Sequence, residues 1–258
     1  MINALARFSL KGSIAIVTGG TSGIGKTTAE HLASAGADVA IISRHLDSSQ
    51  ITAAYLADTY GVNAHGYACD VACEADVEAT VSAIADEVGT PNVLFNNAGI
   101  NVNGGALDLK FSDWQRMMDV NVNGIFLMAR AVARRLVTEK RTGSIINTAS
   151  ISASIVNLPQ WQTAYNTSKA AVLHMTKTLA VEWAEHRIRV NAISPGYVWT
   201  EMNQVVPEEI TRVWMEATPF HRFATTDEIA SAVVYFASEA SSYATGSELI
   251  IDGGFTCL

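Results

Sequence analysis

The sequence predicts an α/β fold, in which seven strands form one doubly wound parallel sheet with helices on both faces. Short apolar runs rich in β-branched residues alternate with longer runs of helical spacing along the 258 residues. Such alternation is typical of βαβ units, which place their strands in parallel. Runs such as residues 39–42 (VAII) are apolar without a gap, which indicates strands covered on both faces.

The predicted elements follow one another in regular order. Strands are expected at 14–18, 38–43, 64–69, 92–96, 144–149, 187–193 and 248–252. Helices are expected at 24–35, 47–60, 74–88, 112–139, 164–185 and 226–238. Because no Pro- or Ser-rich linker, low-complexity segment or repeat interrupts the series, we expect a single domain over residues 1–258.

The composition argues against several classes of partner. A net charge of -8 and a pI near 5.2 disfavour binding to nucleic acid or to an anionic membrane. No stretch approaches roughly 18 consecutive apolar residues, and the first residues lack the apolar core of a signal peptide. Cys69, Cys73 and Cys257 match no common zinc spacing, so we expect reduced thiols, no metal site and a cytoplasmic protein.

The end of the first strand carries a glycine-rich turn, TGGTSGIG, with Gly19, Gly23 and Gly25 in the spacing G-x-x-x-G-x-G. Glycines allow a tight turn and a close approach of the backbone, and the free amides that open the next helix can bind a pyrophosphate. Because the turn lies between a buried strand and an Ala-rich helix, it is predicted to bind a dinucleotide. Ligands of such sheets bind beyond the carboxyl ends of the strands, so other functional residues are expected there too.

The end of the second strand indicates which dinucleotide binds. NAD-selective folds usually carry an acidic residue there, whereas NADP needs room and positive charge for the phosphate on its adenosine ribose. Here the sequence is IISRH, with Ser43 in the place of the acid and Arg44 beside it. A guanidinium can hold a phosphate in bidentate fashion, so NADP(H) is predicted and NAD(H) is less favoured.

Tyr165 and Lys169 lie four residues apart in AYNTSK, at the start of a helical stretch. Residues at that spacing are neighbours on one helix face, and a nearby positive charge favours the phenolate. The pair is therefore a candidate for proton transfer, although the same spacing also occurs by chance in exposed helices.

These motifs, taken in order, resemble those of the short-chain dehydrogenase/reductases over essentially the whole chain, and the resemblance implies a Rossmann fold. TGGTSGIG resembles the TGxxxGIG loop of that family, CDV its adenine-contact site, and NNAG (96–99) the motif that ends its fourth strand. VNVNG, YNTSK and SPGYVWT (194–200) resemble its asparagine motif, its YxxSK motif and the PGxxxT loop beside the nicotinamide. The cofactor-binding positions that this implies are Gly19, Thr21, Ser22, Gly23, Ile24, Gly25, Ser43, Arg44, Asp70, Val71, Asn97, Ala98, Gly99, Tyr165, Lys169, Pro195, Gly196, Val198 and Thr200.

The resemblance also implies four catalytic residues. Tyr165 would exchange a proton with the substrate oxygen, while Lys169 and an oxidised nicotinamide would lower the pKa of the phenol. Asn121 would hold a water that links Lys169 to solvent. A serine would polarise the substrate oxygen. The commonest family spacing selects Ser152 for that role, but alignment of the fifth strand selects Ser150, which we prefer because the following loop can absorb extra residues at small cost.

The substrate is expected to be a sugar alcohol or a ketose. The loop SIVNLPQWQTAY and the ending IDGGFTCL resemble the branch of the family that acts on sorbitol, galactitol, arabinitol and sorbose. A lid is expected over about residues 201–223, and substrate contacts are expected from Ser152, Asn157, Gln160, Trp161 and Met202.

Two other functions stay open. A 3-oxoacyl-[acyl-carrier-protein] reductase would use the same machinery and a basic docking patch, for which the candidates are Arg130, Arg134, Arg135, Lys140 and Arg141. A non-catalytic regulator could also keep the fold, but it would normally lose part of the catalytic set.

Two predicted helices, 112–139 and 164–185, are apolar on more than one face. The sheet can cover only one face of each, and in this family the other cover is a further subunit. A homotetramer is therefore expected.

Overall fold

Seven parallel strands form one sheet, in the order β3-β2-β1-β4-β5-β6-β7. The structure is a computed structural model that describes residues 3–204 and 206–257, without the side chains of Met202 and Gln204. The strands are β1 (Ile14–Thr18), β2 (Asp38–Ser43), β3 (Ala64–Ala68), β4 (Val93–Asn96), β5 (Gly143–Thr148), β6 (Ile188–Pro195) and β7 (Glu248–Ile251). The predicted single-domain α/β fold with a doubly wound sheet is therefore confirmed, with small shifts at the strand ends.

Helices cover both faces of this sheet. They are α1 (Gly23–Ser34), α2 (Leu46–Tyr60), α3 (Glu74–Glu87), α4 (Phe111–Met118), α5 (Gly124–Thr138), α6 (Thr163–Glu182), α7 (Glu201–Gln204), α8 (Glu208–Ala217) and α9 (Thr226–Ala237). The helix predicted at 112–139 is instead divided by a π-helical turn, Asp119–Asn123, between α4 and α5. The short α7 and the longer α8 were not predicted, and both lie in the expected lid. In the described ranges, no helix is long and apolar enough to cross a membrane.

The core has two layers because consecutive strand residues point to opposite faces of the sheet. On one face Val17 and Phe95 pack in a cluster with residues of α1 and α9. On the other face Ile16 and Leu94 pack in a second cluster with residues of α3, α5 and α6. These four strand side chains are completely buried, as expected for central strands of a parallel sheet.

Gly66 in β3 lets helix α2 approach the edge of the sheet closely. A Cβ atom at Gly66 would lie 2.4 Å from the backbone nitrogen of Gln50 and 2.4 Å from the carbonyl carbon of Ser49. Both atoms belong to the backbone of α2, so no side-chain rotation can relieve such a clash. The path of α2, and with it the loop that leads out of β2, therefore depends on this glycine.

We expect Gly66→Ala to lower the free energy of unfolding by about 1–3 kcal/mol, because overpacking would push α2 off the sheet. The control is Gly104→Ala, since a Cβ atom there would meet nothing within 4 Å. Urea unfolding followed by circular dichroism measures both variants. Equal midpoints for the two would contradict this account of the packing of α2.

Candidate active site

One cavity of about 980 Å³ opens at the carboxyl ends of the central strands. It extends from Arg44, after β2, past the ends of β1, β4 and β5 to Trp214 in α8. This is the edge where strand order reverses between β1 and β4, which is the place expected for a ligand of such a sheet.

The glycine-rich turn after β1 forms one wall of the cavity. Gly19 and Gly23 have positive φ angles of 64° and 49°, which only glycine adopts at little cost. Gly25 does not line the cavity, because it packs inward: a Cβ atom there would lie 2.1 Å from the carbonyl oxygen of Gly19. Ser22 precedes α1 without a side-chain capping hydrogen bond. The first amides of α1 are therefore free to bind an anion.

Hydrogen bonds connect the ends of β1 and β4. The Thr18 hydroxyl oxygen accepts from the backbone amides of Asn97 at 2.9 Å and Ala98 at 3.0 Å. In return, Asn97 Nδ2 donates to the carbonyl oxygens of Thr18 at 3.1 Å and Gly19 at 3.2 Å. These bonds hold the glycine-rich turn against the NNAG segment, so both walls of the cavity keep a fixed separation.

Ser43 and Arg44 lie at the end of β2, as the sequence predicts. Ser43 Oγ donates to the carbonyl oxygen of His45 at 2.9 Å and lies 2.9 Å from Ser49 Oγ. The Arg44 side chain is exposed, lines the cavity, and has no carboxylate within 4 Å among the residues described. Ser48 also lines this end, a position that the sequence analysis missed because it lies inside a helix.

The other predicted cofactor positions fall around the same cavity. With the exception of Gly25, all of them line it: Gly19, Thr21, Ser22, Gly23, Ile24, Ser43, Arg44, Asp70, Val71, Asn97, Ala98, Gly99, Tyr165, Lys169, Pro195, Gly196, Val198 and Thr200. Asp70 lies in the turn after β3, where its Oδ1 accepts from the backbone amide of Ala72 at 3.0 Å. Residues that are far apart in the sequence thus share one surface.

Tyr165 and Lys169 lie on one side of α6 and face the cavity. Lys169 is almost fully buried, with 4% of its surface exposed, and its Nζ donates to the carbonyl oxygen of Thr148 at 2.7 Å. The same Nζ lies 5.5 Å from the centre of the Tyr165 ring. Burial lowers the pKa of Lys169 to about 8.

The pKa of Tyr165 differs from the sequence-based expectation. Burial raises the pKa of its phenol above 10.0, and a hydrogen bond with Ser150 offsets only part of this effect. In the free protein the phenol is therefore protonated at neutral pH. The expected lowering concerned the complex with an oxidised nicotinamide, whose positive charge favours the phenolate.

Asn121 lies in the π-helical turn, behind the cavity rather than on its surface. Its Oδ1 accepts from the backbone amide of Ile100 at 2.8 Å, and its Nδ2 donates to the Ile100 carbonyl at 2.9 Å and to Ser168 Oγ at 3.1 Å. Both amide protons are therefore used within the protein. A water held by this side chain would have to donate to Oδ1, next to Gly99.

The two candidate serines have different surroundings. Ser150 follows β5, accepts from the backbone amide of Ser152 at 3.1 Å, and bonds Tyr165 with its side chain. Ser152 Oγ instead donates to Asn157 Oδ1 at 2.6 Å and accepts from Gln162 Nε2 at 3.1 Å. This geometry favours Ser150 as the partner of Tyr165 and places Ser152 in an adjacent polar cluster.

The predicted substrate contacts are only partly brought together. Ser152 and Gln160 line the cavity. Asn157 is 2% exposed and lies behind Ser152, and Trp161 is 59% exposed and does not line the cavity. The side chain of Met202 lies outside the described part of the chain.

Helix α8 closes the far end of the cavity. Trp214 stacks on Tyr197 with ring centres 4.4 Å apart, and its Nε1 donates to Gln160 Oε1 at 2.9 Å. Asn157 Nδ2 in turn donates to the hydroxyl oxygen of Tyr197 at 3.1 Å. The sequence analysis identified neither Tyr197 nor Trp214 as a site residue. Only an aromatic in the lid and another in the PGxxxT loop could have signalled this contact.

Known proteins resemble this chain over nearly its full length. Residues 19–256 match the family model described as enoyl-(acyl carrier protein) reductase, one of the models for the short-chain dehydrogenase/reductases. Sorbose reductase of Candida albicans is 41% identical over 99% of this chain and 91% of its own length. Galactitol 2-dehydrogenase of Rhizobium johnstonii is 44% identical, over 97% and 98% respectively. An NADP-dependent mannitol dehydrogenase of Alternaria alternata is 41% identical, over 96% and 94%.

Solved structures show the same likeness. A short-chain type dehydrogenase/reductase from Mycobacterium marinum has a TM-score of 0.94 and 42% identity, covering 99% of this chain and 100% of that one. A gluconate 5-dehydrogenase from Burkholderia cenocepacia, in complex with NADP and tartrate, has a TM-score of 0.95 and 34% identity with the same coverage. Because the motifs, the fold, the family model and these relatives all agree over almost the entire sequence, the chain belongs to the short-chain dehydrogenase/reductase family.

Proposed function

We propose that the protein is an NADP(H)-dependent oxidoreductase that interconverts a secondary alcohol and a ketone, with a sugar alcohol and its ketose as the substrate pair. The observation that carries the proposal is the shared cavity. Ser150, Tyr165 and Lys169 line it together, and at one end lies Arg44, which has no carboxylate partner among the residues described. The names of the relatives, sorbose reductase, galactitol 2-dehydrogenase and NADP-dependent mannitol dehydrogenase, support the same pair.

The cavity fits a dinucleotide phosphate. The amides that open α1 have no side-chain cap, and Gly23 keeps the backbone open to a pyrophosphate. Arg44 would hold the phosphate on the adenosine ribose, and Ser43 at the end of β2 places a hydroxyl rather than a carboxylate beside it. When bound, NADPH supplies the hydride.

The side chains around Tyr165 supply the proton and the electrostatics. In reduction, Tyr165 donates its proton to the substrate oxygen. General acid catalysis of this kind raises a reaction rate by about 10²- to 10⁴-fold. Ser150 donates to the same oxygen as negative charge develops there. The Lys169 ammonium, held by the Thr148 carbonyl at 2.7 Å, stabilises the tyrosinate that remains. Asn121 bonds Ile100 and Ser168, the neighbours of Gly99 and Lys169 in the sequence, and is a positioning residue.

Contacts in the structure count against the acyl-carrier-protein alternative. Arg130 pairs with Glu74, and Arg134 Nη1 lies 3.1 Å from Glu78 Oε1. Arg135 donates to Ser82 Oγ at 2.7 Å. Two of the five arginines and lysines expected to dock an acidic carrier, Arg130 and Arg134, are thus neutralised by carboxylates of α3. A non-catalytic regulator is also disfavoured, because every predicted catalytic side chain is kept.

Assembly and location remain proposals. Phe126 on α5, Val181 on α6 and Ile250 on β7 are exposed apolar side chains, which supports further subunits in a homotetramer. Sedimentation velocity measures this directly, and a monomer at micromolar concentration would refute it. The three cysteines form no disulfide among the described residues, in keeping with a cytoplasmic protein.

A substrate panel tests the proposal as a whole. NADPH oxidation, followed by absorbance, is measured with ketoses, with simple ketones and with acetoacetyl thioesters, and the reverse reaction with polyols and NADP. We expect the highest kcat/KM with a ketose and its polyol. Activity confined to thioesters would refute the sugar substrate and restore the carrier-protein alternative.

The cofactor preference depends on Arg44. We expect Arg44→Ala to lower kcat/KM for NADPH by at least about tenfold, because hydrogen bonds to charged groups contribute roughly 1.5–3 kcal/mol, with little effect on NADH. Ser43→Asp should shift the preference further toward NADH by repelling the phosphate. The control is Arg134→Ala, which removes an arginine far from the cavity. A wild-type preference for NADH would contradict the assignment.

Proton transfer depends on the hydroxyl of Tyr165. We expect Tyr165→Phe to lower kcat by about 100-fold or more while NADPH binding, measured by fluorescence titration, stays detectable. Tyr243→Phe is the matched control, since Tyr243 is fully exposed and lies outside the cavity. Substantial turnover in the Tyr165 variant would rule out its role as the acid.

The pH profile depends on Lys169. Because burial lowers its pKa from 10.5 to about 8, we expect kcat/KM for ketone reduction to fall as the pH rises through that value and the ammonium is lost. The folded pKa lies below the unfolded one, so the contribution of Lys169 to stability rises over the same window. A loss of activity above pH 8 therefore cannot be caused by unfolding that the titration of Lys169 drives. The check is a series of rates from neutral to alkaline pH, and a flat profile up to 10.5 would contradict the role.

A further inference from the structure

A buried cluster of amides and one hydroxyl lies beside the catalytic serine and tyrosine. Its members are Asn101, Ser152, Asn157, Gln162 and Asn166. They come from the loop after β4, from the segment after β5 and from the start of α6. Asn101, Ser152 and Gln162 line the cavity, whereas Asn157 and Asn166 lie behind them.

The hydrogen bonds fix which end of the Gln162 amide faces the cavity. Its Nε2 is surrounded by three acceptors: Asn157 Oδ1 at 2.9 Å, Asn166 Oδ1 at 2.9 Å and Ser152 Oγ at 3.1 Å. With Asn157 and Asn166 oriented as they are, the reversed amide would place the Gln162 oxygen against two amide oxygens, so this orientation is the one that the network satisfies. Gln162 Oε1 therefore points away from these three oxygens and toward Asn101. Its one partner in the described chain is Asn101 Nδ2 at 3.5 Å, which leaves a lone pair available.

The hydroxyl of Ser152 also presents an acceptor, and no donor, to the cavity. Its hydroxyl proton is used in the 2.6 Å bond to Asn157 Oδ1, so toward the cavity Ser152 can only accept. Asn101 Oδ1 is a third acceptor, buried and without a partner among the described residues. Leaving such an acceptor unpaired costs free energy, which a bound donor would recover.

The side chains proposed to face the reacting oxygen, Ser150 and Tyr165, are hydrogen-bond donors instead. Ser150 accepts from the backbone amide of Ser152 and shares a side-chain hydrogen bond with Tyr165, so one hydroxyl proton of this pair is free to donate to a substrate oxygen. Ser150 and Ser152 are two residues apart, and Gln162 lies three residues before Tyr165. The donors that face the reacting oxygen of the substrate, Ser150 and Tyr165, therefore lie next to acceptors that face the oxygen on the adjacent carbon.

We propose that Ser152, Gln162 and Asn101 form an acceptor-only wall that recognises a hydroxyl on the carbon next to the reacting carbonyl. The ligand class is the α-hydroxyketone, and in the reverse direction the vicinal diol. A second carbonyl in that place offers no proton and is rejected, because acceptors would face an acceptor. The inference rests on the proposed function for the catalytic site and narrows its substrate class.

Asn157 is the positioning residue of this wall. A single oxygen, Oδ1, receives protons from both Ser152 and Gln162 and so directs both away from the cavity. Asn157 is 2% exposed, and its own Nδ2 is occupied by the hydroxyl oxygen of Tyr197. Without Oδ1, Ser152 would regain a proton to donate into the cavity.

Three small ketones of one carbon skeleton test the wall: acetoin with a neighbouring hydroxyl, diacetyl with a neighbouring carbonyl, and butanone with neither. The variants are Asn157→Leu, of similar volume without an acceptor, and Gln162→Met, with Ser154→Ala as an exposed control in the same loop. The readout is kcat/KM with NADPH for each ketone. Ratios between ketones within one variant cancel its overall loss of activity or folded fraction.

We expect the acetoin to diacetyl ratio to fall by about threefold to tenfold in both variants, the scale of one neutral hydrogen bond, and to stay unchanged in Ser154→Ala. The change should appear mainly for acetoin in Gln162→Met, with butanone little affected. An unchanged acetoin to diacetyl ratio, or an equal loss of kcat/KM for all three ketones, would contradict the proposed acceptor-only wall. If the ratio responds but no ketose is reduced, the sugar substrate of the proposed function is wrong and the wall stands.

Discussion

The site depends on the hydrogen bonds that join the ends of β1 and β4 through Thr18 and Asn97. At this point the strand order reverses, so the helices that follow the two strands leave on opposite faces of the sheet and open a crevice between them. The Thr18 hydroxyl and the Asn97 amide close this crevice at its base with four short bonds. The same bonds hold the glycine-rich turn and the segment that leads to Gly99, so the proposed cofactor site and the proposed catalytic residues share one rigid support.

The features predicted from sequence are those that a local pattern or a strand end determines. Strand and helix order follows from hydrophobic periodicity, and Ser43, Ser150 and Tyr165 were located because each lies at the end of a strand or the start of a helix. Such positions are set by backbone hydrogen bonds that the pattern itself implies. The assignment of Arg44 is of the same kind, because a residue that follows β2 must emerge at the ligand edge.

The features that the sequence could not predict depend on how separate segments meet. Asn157 and Trp161 occupy similar polar loop sequence, yet one is buried and the other exposed, because the path of the loop against α6 and α8 decides which side chain turns inward. The π-helical turn at Asn121 leaves no signal in a pattern of helical period. The high pKa of the Tyr165 phenol likewise results from burial, which the spacing to Lys169 does not reveal.

The contact between Trp214 and the rest of the cavity has a consequence for how such a protein diversifies. Helix α8 meets the catalytic region through one aromatic stack and one hydrogen bond, and neither involves Ser150, Tyr165 or Lys169. A change in α8 that keeps an aromatic ring over Tyr197 is therefore expected to leave these three side chains in place. Substitutions in α8 can in this way alter the far end of the cavity while the strand ends keep their sequence.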